Sequence, residues 1–320
     1  MKSNPRDDGR REMAKYALSK QEKEFLKTYD ITAFDRPSVT TDVAAFAVMD
    51  ELATQAPSDR NYRKDPVREL QLLLVKRGGY PFKGKWALPG GFSKKQESTH
   101  ETALRELEEE TGVGDAYLRP FGVFGKPDRD PRGWIISHGY LALIDGGKYR
   151  LHAGADAWEA AWFRLSVECE ETSKKSKNGM TVVERIYTLH FYQAERDLKF
   201  DAKVRESMRF SELHGNMDYE VVDMGELAFD HAEIILNAWQ CLRSEAEGSG
   251  KIVFDLMPER FTLNALQQAF ELVLGRKLLV ANFRRKIAPL VIETEEEITG
   301  VGHRPAKLYR RNLEEFFERN

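Results

Sequence analysis

The feature that most constrains this chain is an acidic segment that follows a glycine-rich loop. Five of the ten residues in 101–110 are glutamates. If residues 98–111 form a helix, Glu106 and Glu110 lie one turn apart, and Glu109 lies three residues from Glu106. Three carboxylates then share one face of the helix.

Carboxylates this close repel each other by roughly a few tenths of a kcal/mol per pair, so a cation would stabilise them. Mg²⁺ suits the position because hard divalent ions take oxygen ligands and are often shared with substrate phosphates. A simpler interpretation stays open. Ala103, Leu104 and Leu107 give the helix an apolar stripe, and Glu101 and Glu108 are then only solvated side chains.

This spacing resembles the Nudix box, the signature of hydrolases that cleave a nucleoside diphosphate linked to another moiety. The chain fills nine fixed positions of that pattern, namely Gly91, Glu97, Arg105, Glu106, Leu107, Glu109, Glu110, Gly112 and Val113. The resemblance implies an α/β/α sandwich with a mixed sheet and a divalent-metal-dependent pyrophosphohydrolase.

The same resemblance implies roles for individual residues. The metal ligands for Mg²⁺ or Mn²⁺ would be Glu106, Glu109, Glu110 and the carbonyl of Gly90. Such ions bind the attacking water and neutralise charge that develops on the phosphate. Arg105 and Glu97 would pair and fix the loop against the helix, which is a structural role.

A general base is expected outside the box, in the loop 154–159 that precedes a strand predicted at Ala160. Related Nudix enzymes supply a carboxylate at this place, which implies Asp156 and Glu159 as candidates. A metal-bound hydroxide would make such a base unnecessary, and both alternatives stay open.

A second charged loop, residues 126–133, contains Arg129 and Arg132 three residues apart. Two planar guanidinium groups can bind a diphosphate through paired hydrogen bonds. Alternatively, they pair internally with Asp128 and Asp130. The run resembles the element of Nudix proteins that act on or bind ADP-ribose. With Arg77 and Gly91, these arginines are the candidate substrate-binding residues.

Apolar runs bounded by polar or Pro/Gly residues predict the strands Val39–Val48, Leu70–Val75, Tyr117–Phe124, Trp134–Ile144 and Ala160–Leu165. A short helix is predicted at Lys20–Tyr29, and a longer one begins near His231 with Asp230 as its N-cap. We therefore expect an N-terminal tail and short helix at 1–35, a Nudix domain at 36–248 and a further domain at 249–320. An insertion at 167–222 should contain a polar loop at 168–178, a strand at 181–192 and a polar stretch that continues to Tyr219.

The C-terminal residues show the pattern of a winged helix. A helix is predicted from Leu263, with Thr262 as N-cap and Gly275 after its end, and a basic helix at 280–288 follows. Two strand-like runs, 290–294 and 306–309, would form a hairpin. The second helix of such a motif enters the major groove of DNA. The candidate DNA-binding residues are Asn282, Arg284, Arg285, Lys286, Arg304 and Lys307.

Charge divides the chain in the same way. Residues 251–311 contain 11 Lys/Arg and 7 Asp/Glu, a net +4, so the remainder carries −3 − 4 = −7. A basic module on an acidic body is expected of a nucleic-acid contact. A dimerisation or packing domain with solvated basic side chains is the alternative.

The C-terminal module resembles that of the Nudix-related transcriptional regulators. The resemblance is carried by Phe261-Thr262-Leu263, by 282–286 and by 304–309, and it implies ADP-ribose-like ligands, double-stranded DNA and a homodimer. Many of these regulators have a degraded Nudix box, whereas this box is intact. We therefore expect a working hydrolase of ADP-ribose or a similar nucleotide sugar, with a ligand-sensing regulator of weak or no activity as the alternative.

Cysteine content and apolar runs indicate the cellular compartment in which this protein is expected. The two cysteines, Cys169 and Cys241, have no metal-ligand spacing and form no disulfide framework. The charged segment Met1–Lys20 lacks the apolar core of a signal peptide, and the chain has no apolar run long enough to span a bilayer. A cytoplasmic protein without membrane association is expected.

Overall fold

Strand β1 (Ser38–Asp50) is buried on both of its faces. The computed structural model describes residues 18–50, 68–114, 116–146, 157–298 and 306–317, with side chains described within 159–297 of the fourth range. Val43 and Ala45 belong to one hydrophobic cluster, and Ala44 and Phe46 belong to the other. Successive side chains of a strand point to opposite faces, so one layer of helix is needed on each side.

The sheet is mixed and has ten strands, with the order β10-β9-β8-β7-β2-β1-β6-β5 and with β3 and β4 paired to β2 and β1. The further strands are β2 Arg68–Arg77, β3 Trp86–Ala87, β4 Gly90–Phe92, β5 Tyr117–Phe124, β6 Ile135–Asp145, β7 Ala157–Lys177, β8 Met180–Gln193, β9 Leu198–Phe210 and β10 Gly215–Asp223. β1 and β6 are parallel and the other pairs are antiparallel. All five strands predicted from the apolar runs are present.

At least one helix packs on each face of the sheet. The helices are α1 Lys20–Thr28, α2 Thr99–Thr111, α3 His231–Glu247, α4 Leu263–Leu274, α5 Val280–Ile287 and α6 Leu313–Phe317. Leu107 of α2 packs in the cluster that contains Val43, and Ile235 of α3 packs in the cluster that contains Phe46. The predicted α/β/α sandwich is confirmed. None of the helices in the described ranges combines the length and apolar content that a bilayer crossing requires.

Helix α2 is fixed at both ends by local sequence. Ser98 and Glu101 form a capping box, and Gly112 ends the helix with φ 78° in the left-handed region. Glu101 is therefore a capping residue, and its interpretation as only a solvated side chain is wrong.

The segment predicted as a polar loop, residues 168–178, is a strand. It is the second half of β7, which pairs with β8 around a turn at Asn178 and Gly179, both with positive φ. Asn-Gly is the preferred pair of a two-residue hairpin turn. The prediction failed because this half of β7 is mostly exposed and lacks the apolar alternation by which we recognised strands. The strand predicted at 181–192 is present as β8, but the stretch after it, described only as polar, forms strands β9 and β10.

The C-terminal module has the predicted winged-helix elements. Thr262 accepts a hydrogen bond from the Ala265 N–H at the start of α4, and Gly275 ends α4 with φ 66°. After α5, β11 (Val291–Ile298) pairs with β12 (Ala306–Arg311). The backbones of Phe261 and Tyr309 exchange two hydrogen bonds of 3.1 and 2.8 Å, so the hairpin is joined to the segment before α4.

Residues 18–37 form a separate unit with the predicted short helix α1. Ser19 and Glu22 make its capping box, and a 3-10 helix, Ile31–Ala33, follows.

Candidate functional site

Of the three carboxylates predicted to share one face of α2, those of Glu106 and Glu110 face the loop that contains β4. The Gly90 N–H donates to Glu110 Oε2 at 3.0 Å. A Cβ atom at Gly91 would lie 2.5 Å from Glu106 Oε1, so only glycine allows the carboxylate to approach this closely. The glycine pair before α2 therefore serves to seat Glu106 and Glu110 against the backbone.

The Glu110 carboxylate is destabilised in its charged form. Burial, with the nearby negative charges of Glu106 and Asp42, raises the pKa of Glu110 to about 8, although the Gly90 hydrogen bond acts in the opposite direction. A cation between these groups would offset the repulsion.

The third carboxylate, Glu109, points elsewhere. Its side chain is 57% exposed and lies 3.1 Å from Arg105 Nη1, which also contacts Glu106 at 2.6 Å. Arg105 makes two hydrogen bonds of 2.9 Å to Glu97, so the predicted pair of these residues is present. The Arg105 guanidinium lowers the pKa of Glu97 to about 2.

Among the described residues, no group of three or more Asp, Glu, His or Cys side chains is arranged to hold a metal. Two carboxylates nevertheless fit Mg²⁺, which is usually bound by one or two carboxylates with substrate phosphates and water as the other ligands. Glu106 and Glu110 form that donor pair.

A cavity of about 290 Å³ lies beside these carboxylates, and we call it the acid-arginine cavity. Its lining combines acids, arginines and aromatic rings. The lining residues are Thr40, Asp42, Arg77, Leu88, Gly90, Gly91, Phe92, Glu106, Glu110, Arg129, Asp130, Arg132, Phe229 and His231. All four predicted substrate-binding residues are among them.

Arg129 does not present its guanidinium to solvent. Its side chain is 4% exposed and binds both oxygens of Asp230 at 2.8 and 2.7 Å, with Asp42 at 3.5 Å. Asp230 is the predicted N-cap residue of α3, but its side chain makes no capping hydrogen bond. The internal partner of Arg129 is therefore neither Asp128 nor Asp130, which the alternative interpretation proposed.

Arg132 follows the alternative interpretation in part, because it pairs with Asp130 at 2.6 Å. Its guanidinium also lies 5.0 Å from the Phe92 ring and 5.3 Å from the Phe229 ring. Arg77 lies 4.7 Å from the same Phe229 ring. Burial and the neighbouring charge of Arg132 lower the pKa of Arg77, so an anion between the two arginines would be stabilised.

Sequence reasoning did not propose several residues of this cavity, among them Asp42, Phe229 and His231. His231 is buried, accepts a hydrogen bond on Nδ1 from the Leu88 N–H at 2.8 Å, and places Nε2 3.4 Å from Asp42 Oδ1. Phe229 has φ 52°, an unusual conformation for an aromatic residue. A carboxylate inside the apolar strand 39–48 was a usable signal for Asp42. Nothing in the sequence singled out Phe229 or His231.

Of the two candidate general bases, the one that the structure describes, Glu159, does not line this cavity. Asp156 lies outside the described residues. Glu159 is in strand β7, not in a loop as predicted, and its carboxylate pairs with Arg196. Glu159 lines a different, larger cavity of about 900 Å³.

Helix α5 shows the predicted division between buried and exposed faces. Phe283 and Ile287 are buried, and the four predicted DNA-binding residues Asn282, Arg284, Arg285 and Lys286 are exposed. Lys286 Nζ donates to the carbonyls of Glu247 and Gly248 at 3.4 and 3.3 Å.

The hairpin contributes less positive charge than expected. Lys307 is paired with Glu293 of β11, and the same strand carries three more glutamates at 295–297. Arg304 lies outside the described residues. The described basic surface is therefore centred on α5.

Comparison with known proteins gives the class of each part. Residues 64–182 match the NUDIX domain, and residues 253–311 match the NrtR DNA-binding winged helix domain. The chain thus has a Nudix domain followed by a C-terminal winged helix domain. That second domain is of the NrtR type, and both resemblances inferred from the sequence are confirmed.

Three relatives illustrate the match. The chain is 28% identical to the ADPR responsive transcriptional repressor NtrR of Acinetobacter baylyi, over 92% of this chain and 90% of that protein. It is 44% identical to an ADP-ribose pyrophosphatase of Methanocaldococcus jannaschii, over 31% of this chain and 57% of that enzyme. The crystal structure of Shewanella oneidensis NrtR aligns with a TM-score of 0.51 at 26% identity, over 86% of this chain and 94% of that one.

Proposed function

We propose that this protein is a DNA-binding regulator whose Nudix domain takes ADP-ribose or a similar nucleotide sugar in the acid-arginine cavity. The observation that carries the proposal is the meeting of Arg77 and Arg132 with Glu106 and Glu110 in one cavity of a chain that also presents the basic helix α5. Similarity to an ADPR responsive repressor along 92% of the chain supports it.

Different residues of the cavity would contact different parts of the ligand. Arg77 and Arg132 would bind the diphosphate, because guanidinium groups form paired hydrogen bonds with phosphate oxygens. Phe92, 42% exposed at the rim, offers a ring on which a base or ribose can pack. Glu106 and Glu110 would hold a divalent cation, which when bound neutralises phosphate charge and supplies an activated water.

Direct binding tests this assignment. Isothermal titration with ADP-ribose should show a single site per chain. Arg132→Met or Arg77→Met should weaken it about tenfold or more, since a hydrogen bond to a charged group contributes about 1.5–3 kcal/mol. Arg164→Met is the matched control, because Arg164 is an arginine of β7 that pairs with Glu69 outside this cavity. Failure of wild type to bind ADP-ribose would contradict the proposal.

Hydrolysis is the second candidate activity, and the seating of both Glu106 and Glu110 against Gly90 and Gly91 favours it. Water would attack a phosphorus of the pyrophosphate, and the bridging P–O bond would break to give AMP and ribose 5-phosphate. Chromatography of products from a nucleotide-sugar panel, with Mg²⁺ or Mn²⁺ and with chelator, measures this. If no compound of the panel is turned over under either metal, the protein is a regulator without hydrolase activity.

For DNA, we propose that α5 enters the major groove and that a homodimer reads two half-sites, as helix-turn-helix dimers do. Arg284 and Arg285 are the phosphate or base contacts. Fluorescence anisotropy with a duplex selected by the protein from a random-sequence pool would measure the affinity, and light scattering of the complex would measure its stoichiometry. A monomer bound to one half-site would refute the dimer.

A further inference from the structure

We infer that helix α3 transmits occupancy of the acid-arginine cavity to the DNA-reading helix α5, with Lys286 as the residue that positions α5 on α3. The inference rests on the proposed function and adds its regulatory route. The N-terminal end of α3 contacts the loops of the cavity, and its C-terminal end contacts α5.

The N-terminal end of α3 is fastened to the cavity from three sides. Asp230 holds Arg129 of the loop 126–133 through two hydrogen bonds. His231 accepts from Leu88, two residues before the β4 glycines. Glu233, on the first turn, pairs with Lys126 of the same loop at 3.0 Å. A ligand that moves this loop must therefore move or release the first turn of α3.

The body of α3 is rigid enough to carry such a movement. Its 17 residues span about 25 Å at about 1.5 Å per residue. The face toward the sheet is buried, with Ile234, Ile235, Ala238 and Leu242 in the main hydrophobic cluster. Packed helices shift as units because a close-packed interior does not deform continuously.

The C-terminal end of α3 contacts α5 by two routes. In the first, Lys286 Nζ donates to the carbonyls of Glu247 and Gly248 at the end of α3. In the second, Gly250 lies against the Phe270 ring of α4, where a Cβ atom would come within 2.9 Å of the ring. Phe270 in turn packs edge-on against Phe283 of α5 with 5.5 Å between ring centroids.

Space for a relative movement lies at the same place. A cavity of about 340 Å³ separates the end of α3 from α5, and Phe270, Leu278, Phe283 and Lys286 are among its lining residues. The end of α3 and α5 are therefore not close-packed at this point, although Phe283 and Ile287 anchor the buried face of α5 in the main hydrophobic cluster.

The ligand has a defined point of action. A diphosphate in the cavity competes with Asp230 for the Arg129 guanidinium, since both are anions suited to the same paired donors. Release of Asp230 removes one of the ties between the loop and α3 and lets the carboxylate cap the first turn, where its side chain makes no capping bond. The Arg129–Asp230 pair thus has two states, one intact and one released. Ligand binding shifts the equilibrium toward the released state.

Two measurements test the route. Hydrogen exchange by mass spectrometry with saturating ADP-ribose should change exchange at 126–133 and at 280–290 in the wild type. Lys286→Met should keep the change at 126–133 and lose the change at 280–290. Arg285→Met, the adjacent exposed residue of the same helix, should keep both, and Lys286→Arg should restore the distal change in part because it retains a donor.

The second measurement uses DNA. A pure DNA contact alters the dissociation constant equally with and without ligand, so their ratio stays constant, whereas a coupling residue changes the ratio. We expect that ratio, typically about 5 to 150 in coupled systems, to approach 1 in Lys286→Met and to persist in Arg285→Met. Thermal melting confirms that each variant is folded.

The outcomes separate the two proposals. A ratio that Lys286→Met leaves unchanged, or a wild type with exchange changes at 126–133 only, overturns the coupling route and leaves ligand binding intact. Exchange that ADP-ribose alters nowhere overturns the proposed ligand, and the coupling route with it.

Discussion

The acid-arginine cavity and helix α5 are both rich in charge, but they hold that charge in opposite ways. In the cavity, the side chain of Arg129 is 4% exposed, and those of its partners Asp230 and Asp42 are 13% and 11% exposed. On α5, Arg284 and Arg285 are exposed, and the buried positions are occupied by Phe283 and Ile287. Charges of the first kind contribute to the fold before any ligand arrives, whereas those of the second kind contribute only when DNA supplies phosphates.

Removal of Arg129 should produce the largest effect, a loss of folding stability. A small loss would contradict the contrast between the buried charges of the cavity and the exposed charges of α5. Arg129→Met leaves two buried carboxylates without their cation, which costs about 3–5 kcal/mol for a broken buried pair. Chemical denaturation measures the free energy of unfolding. Arg284→Met is the matched control, and its exposed position should make its effect smaller than about 0.5 kcal/mol. Equal stability losses in the two variants would show that burial does not determine how much these charges contribute to folding stability.

Glu110→Gln tests the carboxylate side of the cavity and should have the next largest effect. If the protein hydrolyses ADP-ribose, metal-dependent turnover should fall roughly 100-fold or more, because even residues that only orient a metal ligand contribute about 10–100-fold. Glu108→Gln is the control, since Glu108 lies on the same helix but is exposed. Steady-state product formation at saturating Mg²⁺ measures both. Equal rates in the two variants would show that Glu110 has no role in hydrolysis.

The α5 charges should affect affinity for DNA and its salt dependence. Arg284→Ala with Arg285→Ala should weaken binding and lower the slope of log affinity against log salt by about 2, roughly 0.9 per lost phosphate contact. The stability of the double variant should match the wild type. Anisotropy titrations at several salt concentrations measure the slope, and an unchanged slope would reject α5 as the reading helix.

The fixed spacing of the Nudix box is why so much of the cavity could be predicted. Gly90, Gly91, Glu106 and Glu110 lie within about twenty residues of sequence, so one loop and one helix bring them together. The Arg105–Glu97 pair was predictable for the same reason.

Long-range partners could not be predicted in this way. Arg129 meets Asp230 across 101 residues and Asp42 across 87 residues, contacts that depend on the order of strands in the sheet. The direction of Glu109 was also missed, because helical spacing places it near Glu106 but does not show that Arg105 binds it. The second half of β7 and the strands β9 and β10 were not predicted from apolar runs, although Asn178-Gly179 marked the turn between β7 and β8.

The smallest expected effect is the pH dependence of folding stability that buried His231 causes. Burial lowers the pKa of His231 from its usual 6.5, and the Leu88 N–H already occupies Nδ1, so protonation would place two donors against each other. A histidine whose folded pKa is depressed binds its proton more readily in the unfolded chain. Stability therefore falls as pH drops through the unfolded value, with a limiting slope of about 1.4 kcal/mol per pH unit. His231→Asn keeps an acceptor for Leu88 without the titration, so the difference in unfolding free energy between variant and wild type should shift in the variant's favour below pH 6.5. A difference that does not vary with pH would mean that the cavity accommodates a charged imidazole, and the contrast with α5 would then rest on the Arg129 pair alone.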